Sequence, residues 1–249
     1  MPRDTLLVFR HTIGPVLRSP ATILISMVQT ILYLVLFGPL LEDLVRVPGA
    51  ANSWQVFAPG ILVQLALFTG AFAGFALLPD LRAGVVERMR VTPVSRTALL
   101  LGRVLRDVVV TMAQAVLLLL AATALGMRAP LVGVVLGLLL AAVLAGALSA
   151  ASYTMALALP NEYQFAPVVQ SVTLPLMLLS GVLLPIAFGP DWLRAVSKVN
   201  PLTYAVDAER ALFVGDYGAT DVLTGVTVVL VVFGLTVLWG TRSYRRQNA

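Results

Sequence analysis

A compact charged stretch, GVVERMRVTPVSR at residues 84–96, interrupts an otherwise apolar part of the chain. It carries three arginines and one glutamate around a Thr-Pro step. Each arginine would cost about 2.5–3.5 kcal/mol at the centre of a membrane helix, so we predict that the stretch lies in water. An ordinary positively charged loop is the alternative interpretation. Such a loop, however, would need neither the Thr-Pro corner nor a glutamate.

The spacing of residues around this stretch predicts a short helix, a sharp turn and a long helix. Three apolar residues recur at four-residue spacing, as on one edge of a helix: Leu81, Val85 and Met89. Pro93 disfavours helical geometry at Thr92, which makes Thr92 a natural N-cap with Pro93 in the first turn of the next helix. On that second helix, Arg103 and Asp107 are predicted to form an i,i+4 ion pair.

Motifs for catalysis, metal binding and ATP binding are missing from the sequence. There is no GxxxxGK[ST] phosphate-binding loop, no HExxH, no clustered His, Asp or Glu, and no cysteine. The single histidine, His11, is predicted to be a solvated side chain on a polar helix face. We therefore predict no catalytic residue, no metal site and no cofactor bound by this chain.

Six charge-free intervals of at least 20 residues organise the chain. A helix needs about 20 apolar residues to cross a bilayer. We therefore predict an all-α integral membrane protein with six transmembrane helices in one domain, residues 1–249. The predicted spans are residues 21–41, 56–79, 107–127, 130–158, 164–187 and 220–241.

The distribution of basic residues predicts the orientation of these spans. If both termini lie on one side, that side carries twelve of the 17 lysines and arginines, and the other side carries five. The positive-inside rule then places both termini and the charged stretch in the cytoplasm, and the chain in the cytoplasmic membrane. The net charge of +5 is explained by this topology signal, so no nucleic-acid partner is expected.

Two amphipathic segments flank the predicted spans. Residues 1–19 place their apolar residues on one helical stripe, which is typical of an interfacial helix lying along the membrane surface. Residues 189–215 predict two short helices on the external side, broken at Asn200-Pro201.

Small and polar residues inside the apolar runs have two interpretations each. The small-xxx-small steps GAFAG (70–74) and GVVLG (133–137) predict close helix packing within the chain, with a dimer face as the alternative. Polar residues in the spans can form interhelical hydrogen bonds or line a substrate path.

The sequence as a whole resembles the ABC-2 class of ABC transporter permeases. The resemblance rests on GVVERMRVTPVSR (84–96), LSGVLLPI (179–186) and NPLTYAVDAERALF (200–213), together with six spans and cytoplasmic termini. It implies that residues 80–92 form a coupling helix that docks into a separate ATP-binding subunit, and that residues 189–213 are re-entrant external helices. The residues implied for the coupling contact are Leu81, Val85, Glu87, Arg88, Met89, Arg90, Thr92, Pro93 and Arg96.

The same resemblance implies an exporter of a hydrophobic or amphiphilic compound, with a polysaccharide or lipid-linked glycan as the alternative substrate. Two permease chains, identical or related, would pair with two ATPase chains that bind ATP and Mg, all within membrane lipid. Substrate would enter along spans two and five, whose candidate lining residues are Gln64, Phe68, Phe72, Gln170, Ser171 and Thr173. An ion-coupled secondary transporter and a non-transporting membrane scaffold are the other classes that we consider.

Overall fold

In the part of the chain described by the computed structural model, helices are the regular secondary structure, and turns connect them. This part comprises residues 2–18, 28, 31–32, 34–36, 53–84, 96–182, 186 and 189–246, and it contains no β-strand. The helices with complete bounds in these ranges are α1 (Pro2–Arg18), α2 (Ser53–Phe72), α3 (Leu78–Arg82), α4 (Arg96–Ala124), α5 (Leu131–Ala158), α6 (Glu162–Leu179), α7 (Asp191–Ser197), α8 (Pro201–Val214) and α9 (Thr220–Arg246). A 3₁₀ turn, Ala73–Ala76, joins α2 to α3.

Four segments in the described ranges are long and apolar enough to cross a membrane: Trp54–Arg82, Thr97–Ala124, Leu131–Ala158 and Thr220–Ser243. They overlap the predicted second, third, fourth and sixth spans. Most of the predicted first span, 21–41, lies outside the described residues. The predicted fifth span, 164–187, corresponds to α6, which has 18 residues and is not one of the four.

Helix α5 occupies the centre of the bundle and packs against α2, α4, α8 and α9. Glycines permit this close packing. A Cβ on Gly133 would stand 2.0 Å from the carbonyl oxygen of Leu212 in α8, and one on Gly70 would stand 2.5 Å from Leu148 of α5. The predicted role of the small-residue steps in packing within the chain is therefore confirmed.

The bundle has two ends, which differ in the helices that they hold. Helix α1 packs against α4 at one end, where Gly102 of α4 approaches Val8 of α1. We call this the proximal end; it also holds α3 and the first turn of α6. The opposite, distal end holds the first turns of α2, α5 and α9, together with α8.

Candidate functional site

The residues of the predicted coupling contact are described only where they border α3 and α4. Leu81 lies in α3 and packs, partly buried, against an apolar cluster that includes Leu77 and Tyr153. Arg96 is the first residue of α4. The others, Val85, Glu87, Arg88, Met89, Arg90, Thr92 and Pro93, lie outside the described residues.

An ion pair joins the two helices that flank these residues. A guanidinium nitrogen of Arg103 in α4 donates to a carboxylate oxygen of Asp80 in α3 at 2.6 Å. The Arg103 side chain is only 7% exposed, whereas that of Asp80 is 37% exposed. A buried guanidinium is costly without a partner. The pair therefore holds α3 and α4 together at the base of segment 83–95, and we call it the loop clamp.

A second group of polar side chains continues from α4 into α5. Arg106 contacts the carboxylate of its neighbour Asp107. The Tyr153 hydroxyl donates to the other Asp107 oxygen at 2.7 Å and accepts from Arg106 at 3.1 Å. The predicted pairing of Arg103 with Asp107 is wrong, because Arg103 reaches across to α3 while Asp107 faces α5. We call Arg106, Asp107 and Tyr153 the α4–α5 cluster.

Two further contacts extend these proximal connections. Arg82 of α3 lies 3.3 Å from the carboxylate of Glu162 at the start of α6, with both side chains about half exposed. Ser152 of α5 donates to the carbonyl of Ala71 at 2.5 Å and accepts from the Gly74 amide at 2.9 Å. The part of the chain that precedes segment 83–95 is thus tied to α4, α5 and α6.

The predicted substrate-path residues do not share one surface. Gln64 and Thr173 are buried, and the Oε1 of Gln64 has no hydrogen-bond partner among the described residues. Gln170 and Ser171 are exposed on α6, where the Ser171 hydroxyl donates to the carbonyl of Val168. The structure therefore separates an inner pair from an exposed pair.

The aromatic candidates, Phe68 and Phe72, belong to a continuous row of rings that reaches from α2 to α6. Phe68 stacks on Phe72 with ring centroids 6.0 Å apart, and Phe72 stacks on Phe75 at 5.9 Å. Phe75 then meets Phe165 of α6 edge-on at 4.9 Å. Such geometries are favourable for aromatic pairs, so this row packs α6 against the bundle.

At the distal end, hydrogen bonds from side chains to backbone carbonyls attach α8 to α2 and to the turn that follows α6. The Arg210 guanidinium donates to the carbonyl of Gly181 at 2.7 Å and reaches that of Val56 at 3.4 Å. The Gln55 side chain of α2 donates to the carbonyl of Phe213 at 2.6 Å. Burial lowers the pKa of Arg210 to about 10, against the opposing effect of Asp207.

Residues at the start of α8 form hydrogen bonds to carbonyl groups in the last turn of α6. Asn200 caps α8 by accepting from the Leu202 amide, and its side-chain amide donates to the carbonyl of Leu176 at 2.7 Å. The Thr203 hydroxyl lies 3.1 Å from the carbonyl of Leu179. The last carbonyls of a helix have no partner within that helix, so α8 satisfies groups that α6 leaves open. We call the contacts of α8 with α2, α5 and α6 the distal seal.

Glu209 of α8 differs from the other polar residues of the distal seal in its hydrogen bonding. Its side chain is fully buried, and neither carboxylate oxygen has a hydrogen-bond partner among the described residues. Burial raises its pKa well above the usual glutamate range. The sequence-based prediction described residues 189–215 as external re-entrant helices and assigned no buried charged side chain to them, so it missed this residue. The charged run Asp-Ala-Glu-Arg in DAERALF, between apolar residues of the helix, is the signal that could have revealed it.

The sequence contains a signal for the ion pair of the loop clamp but none for the α4–α5 cluster. Asp80 and Arg103 are opposite charges close to the two ends of the same charged segment, and that symmetry could have suggested a pair. Nothing in the sequence singles out Tyr153, which stands in an apolar run of α5.

Fold and sites together define a helical membrane protein with several spanning segments and buried polar contacts at both ends. The chain belongs to the ABC-2 type transporter family, whose model matches residues 5–214. It is thus a membrane subunit of the ABC transporter class, a class in which an ATP-binding partner subunit is implied.

Two similar proteins are named as permeases. A protein described as a transport permease, ycf38, of Cyanophora paradoxa is 30% identical over 200 residues, which cover 79% of this chain and 69% of that protein. The daunorubicin resistance ABC transporter permease protein DrrB1 of Streptomyces coeruleorubidus is 28% identical over 235 residues, which cover 91% of this chain and 79% of that protein.

Proposed function

We propose that this chain is the permease subunit of an ABC exporter that moves a hydrophobic or amphiphilic compound across the cytoplasmic membrane. A separate subunit would bind ATP and Mg and hydrolyse the ATP, since the sequence of this chain has no phosphate-binding loop. Family membership supports the transporter class, and the name of DrrB1 favours a drug-like substrate. A polysaccharide is the weaker alternative.

The proposed topology has six spans, with the proximal end and both termini in the cytoplasm. Helix α1 then lies along the inner membrane surface, with the exposed Arg3 and Arg10 available to lipid headgroups. Helices α7 and α8 become re-entrant helices on the external side. The distribution of lysine and arginine is the support for this orientation.

The loop clamp is the observation that carries the proposal. Residues 80–92 are proposed as the coupling helix; they begin within α3, and Asp80–Arg103 joins α3 to α4, the helix that follows the segment. Movement of a docked ATPase would therefore displace α3 and α4 together instead of deforming the loop. The α4–α5 cluster would pass that displacement to α5 at the centre of the bundle.

Two permease chains are proposed to form the transport path between them, along α2 and α6. The exposed Gln170 and Ser171 support this arrangement, because polar side chains in a membrane helix usually face protein or water rather than lipid. Gln64 and Thr173 are buried within this chain, so in this arrangement they would contact substrate only after α2 and α6 separate.

Co-purification and a charge reversal test the proposal. The full chain should retain an ATP-binding subunit during purification, and Glu87→Arg should release that subunit and abolish export. Arg128→Gln, on the side opposite the proposed docking surface, is the matched control and should do neither. Normal export and assembly in a well-expressed Glu87→Arg variant would rule out the coupling-helix assignment.

Energy dependence separates this function from its rivals. Export by the wild-type complex should stop when ATP is depleted and should persist in the presence of an ionophore. The opposite result would indicate an ion-coupled carrier. A chain that neither exports nor binds an ATPase would be a scaffold.

A further inference from the structure

Glu209 lies where α8 crosses α5, in a space that exists because residue 137 is glycine. A Cβ on Gly137 would stand 2.4 Å from a carboxylate oxygen of Glu209 and 2.7 Å from the Phe213 ring. The carboxyl group is therefore held against bare backbone, with an aromatic ring on one side. Neither surface offers a hydrogen bond to either of its oxygens.

No positive charge in the described part of the chain faces this carboxyl group. Helices α2 and α5, which pack against α8, contain no charged residue. On α8 itself, Arg210 donates to the carbonyls of Gly181 and Val56, and Asp207 is acidic.

The remaining neighbours do not supply a counter-charge either. Asp221 of α9 is acidic, and Glu162 of α6 and Arg242 of α9 lie at the proximal end. Arg194 of α7 pairs with Asp191, and the side chains of Lys198 and Arg128 are exposed. An ionised carboxylate without partner or solvent is strongly unfavourable, whereas the neutral acid is tolerated far better.

We propose that Glu209 is a proton-binding site of the distal seal: α8 closes on α5 only around the neutral carboxyl group, and the seal opens with release of that proton. Solvent that enters between the two helices would stabilise the carboxylate. Reclosure would require a proton to return to one of its oxygens. This site lies outside the proposed coupling segment and does not depend on an ATPase.

The direction of the pH dependence follows from this linkage. The pKa of Glu209 is raised by burial in the closed seal and returns toward about 4.3 when the group is solvated. Below the solvated value both states hold the proton, and the stability of the seal does not change with pH. Above it, rising pH favours the open seal by up to tenfold per pH unit, until the pKa of the closed state is passed.

Accessibility of a buried thiol measures the opening. The chain has no cysteine, so Val206→Cys, one turn from Glu209 and fully buried, supplies a single reporter. Its labelling by a membrane-permeant maleimide is followed from pH about 6 to 8.5 in membranes that contain the full chain. A permeant reagent makes the result independent of which side the distal end faces.

Glu209→Gln keeps the shape of the side chain but cannot ionise. In this background, labelling should follow only the titration of the thiol itself. In the Glu209 background, labelling should rise more steeply with pH, by up to an extra tenfold per unit. Asp207→Asn, which removes an exposed acid two residues away on the same helix, is the control; it should keep the steeper rise. Identical slopes with and without Glu209 would overturn the proposal.

Infrared spectroscopy tests the protonation directly. The full chain at about pH 7 should show a carboxylic acid C=O band that Glu209→Gln removes, and absence of that difference would also overturn the proposal. If Glu209→Gln fails to insert, Glu209→Met serves in both measurements, since it is neutral and of similar length. Loss of ATP-driven export with an intact pH effect would instead count against the proposed function alone.

Discussion

Buried charged groups occur at both ends of the bundle, but the two ends accommodate them differently. At the proximal end, Arg103 and Arg106 each meet a carboxylate, and Tyr153 completes the second group. At the distal end, Arg210 donates to backbone carbonyls, and Glu209 has no hydrogen-bond partner in the described part of the chain. Paired charges hold helices together as a unit, whereas an isolated acid allows its two helices to separate once it ionises.

This contrast makes the proximal end the stiffer joint. Separation of α3 from α4 would leave the buried Arg103 without its carboxylate. Separation of α4 from α5 would remove the Tyr153 hydroxyl from the buried Asp107 carboxylate. Separation of α8 from α5 would instead hydrate a group that gains from hydration. We therefore expect the helices at the proximal end to move together, and α8 to separate from α5 at the distal end.

Removal of the Asp107 carboxylate should give the largest loss of stability. Asp107→Ala leaves the Arg106 guanidinium and the Tyr153 hydroxyl without their acceptor, which should cost about 3–5 kcal/mol. For a chain of this size, that corresponds to a fall in Tm of about 6–20 °C in detergent micelles. Val109→Ala, a partly exposed position on the same helix, is the control. Equal Tm values for the two variants would contradict a stabilising α4–α5 cluster.

A methyl group at the α5–α8 crossing should have an intermediate effect. Gly137→Ala drives a Cβ against the Glu209 carboxyl group, and overpacking of this kind costs about 1–3 kcal/mol. Gly234→Ala has no neighbouring atom within 4 Å and should be neutral or slightly stabilising. Glu209→Ala should relieve the strain of Gly137→Ala in a double-mutant cycle of unfolding free energies. Strictly additive effects would mean that the two residues do not touch.

The exposed ion pair should contribute least. Both side chains of Arg82–Glu162 are about half in solvent, so Arg82→Gln should change the unfolding free energy by at most about 1 kcal/mol. The difference should shrink further at high salt because solvent ions screen such a pair. A loss as large as that of Asp107→Ala would remove the distinction between buried and exposed proximal charges.

The sequence predicts the helices better than it predicts the side-chain contacts between them. Helical periodicity and hydropathy predict α5 and α9 closely, and the Asn-Pro step marks the start of α8 at Pro201. The glycine steps also report helix packing correctly, since only a missing Cβ allows such close approach.

Partners of charged side chains are harder to predict. Spacing along one helix suggested Arg103–Asp107, but the three-dimensional arrangement offers each residue a better partner on another helix. Glu209 was missed for a related reason. Its carboxyl group is buried against Gly137 of α5, which is distant in sequence, so no local pattern predicts that burial.

The central claim is that the segment between α3 and α4 transmits ATPase movement through the loop clamp. Exchange of the two charges tests it in proteoliposomes that contain the complete transporter. Asp80→Arg and Arg103→Asp should each abolish most ATP-driven export while the ATPase remains bound, and the double variant should recover export. Normal export by both single variants would contradict the claim.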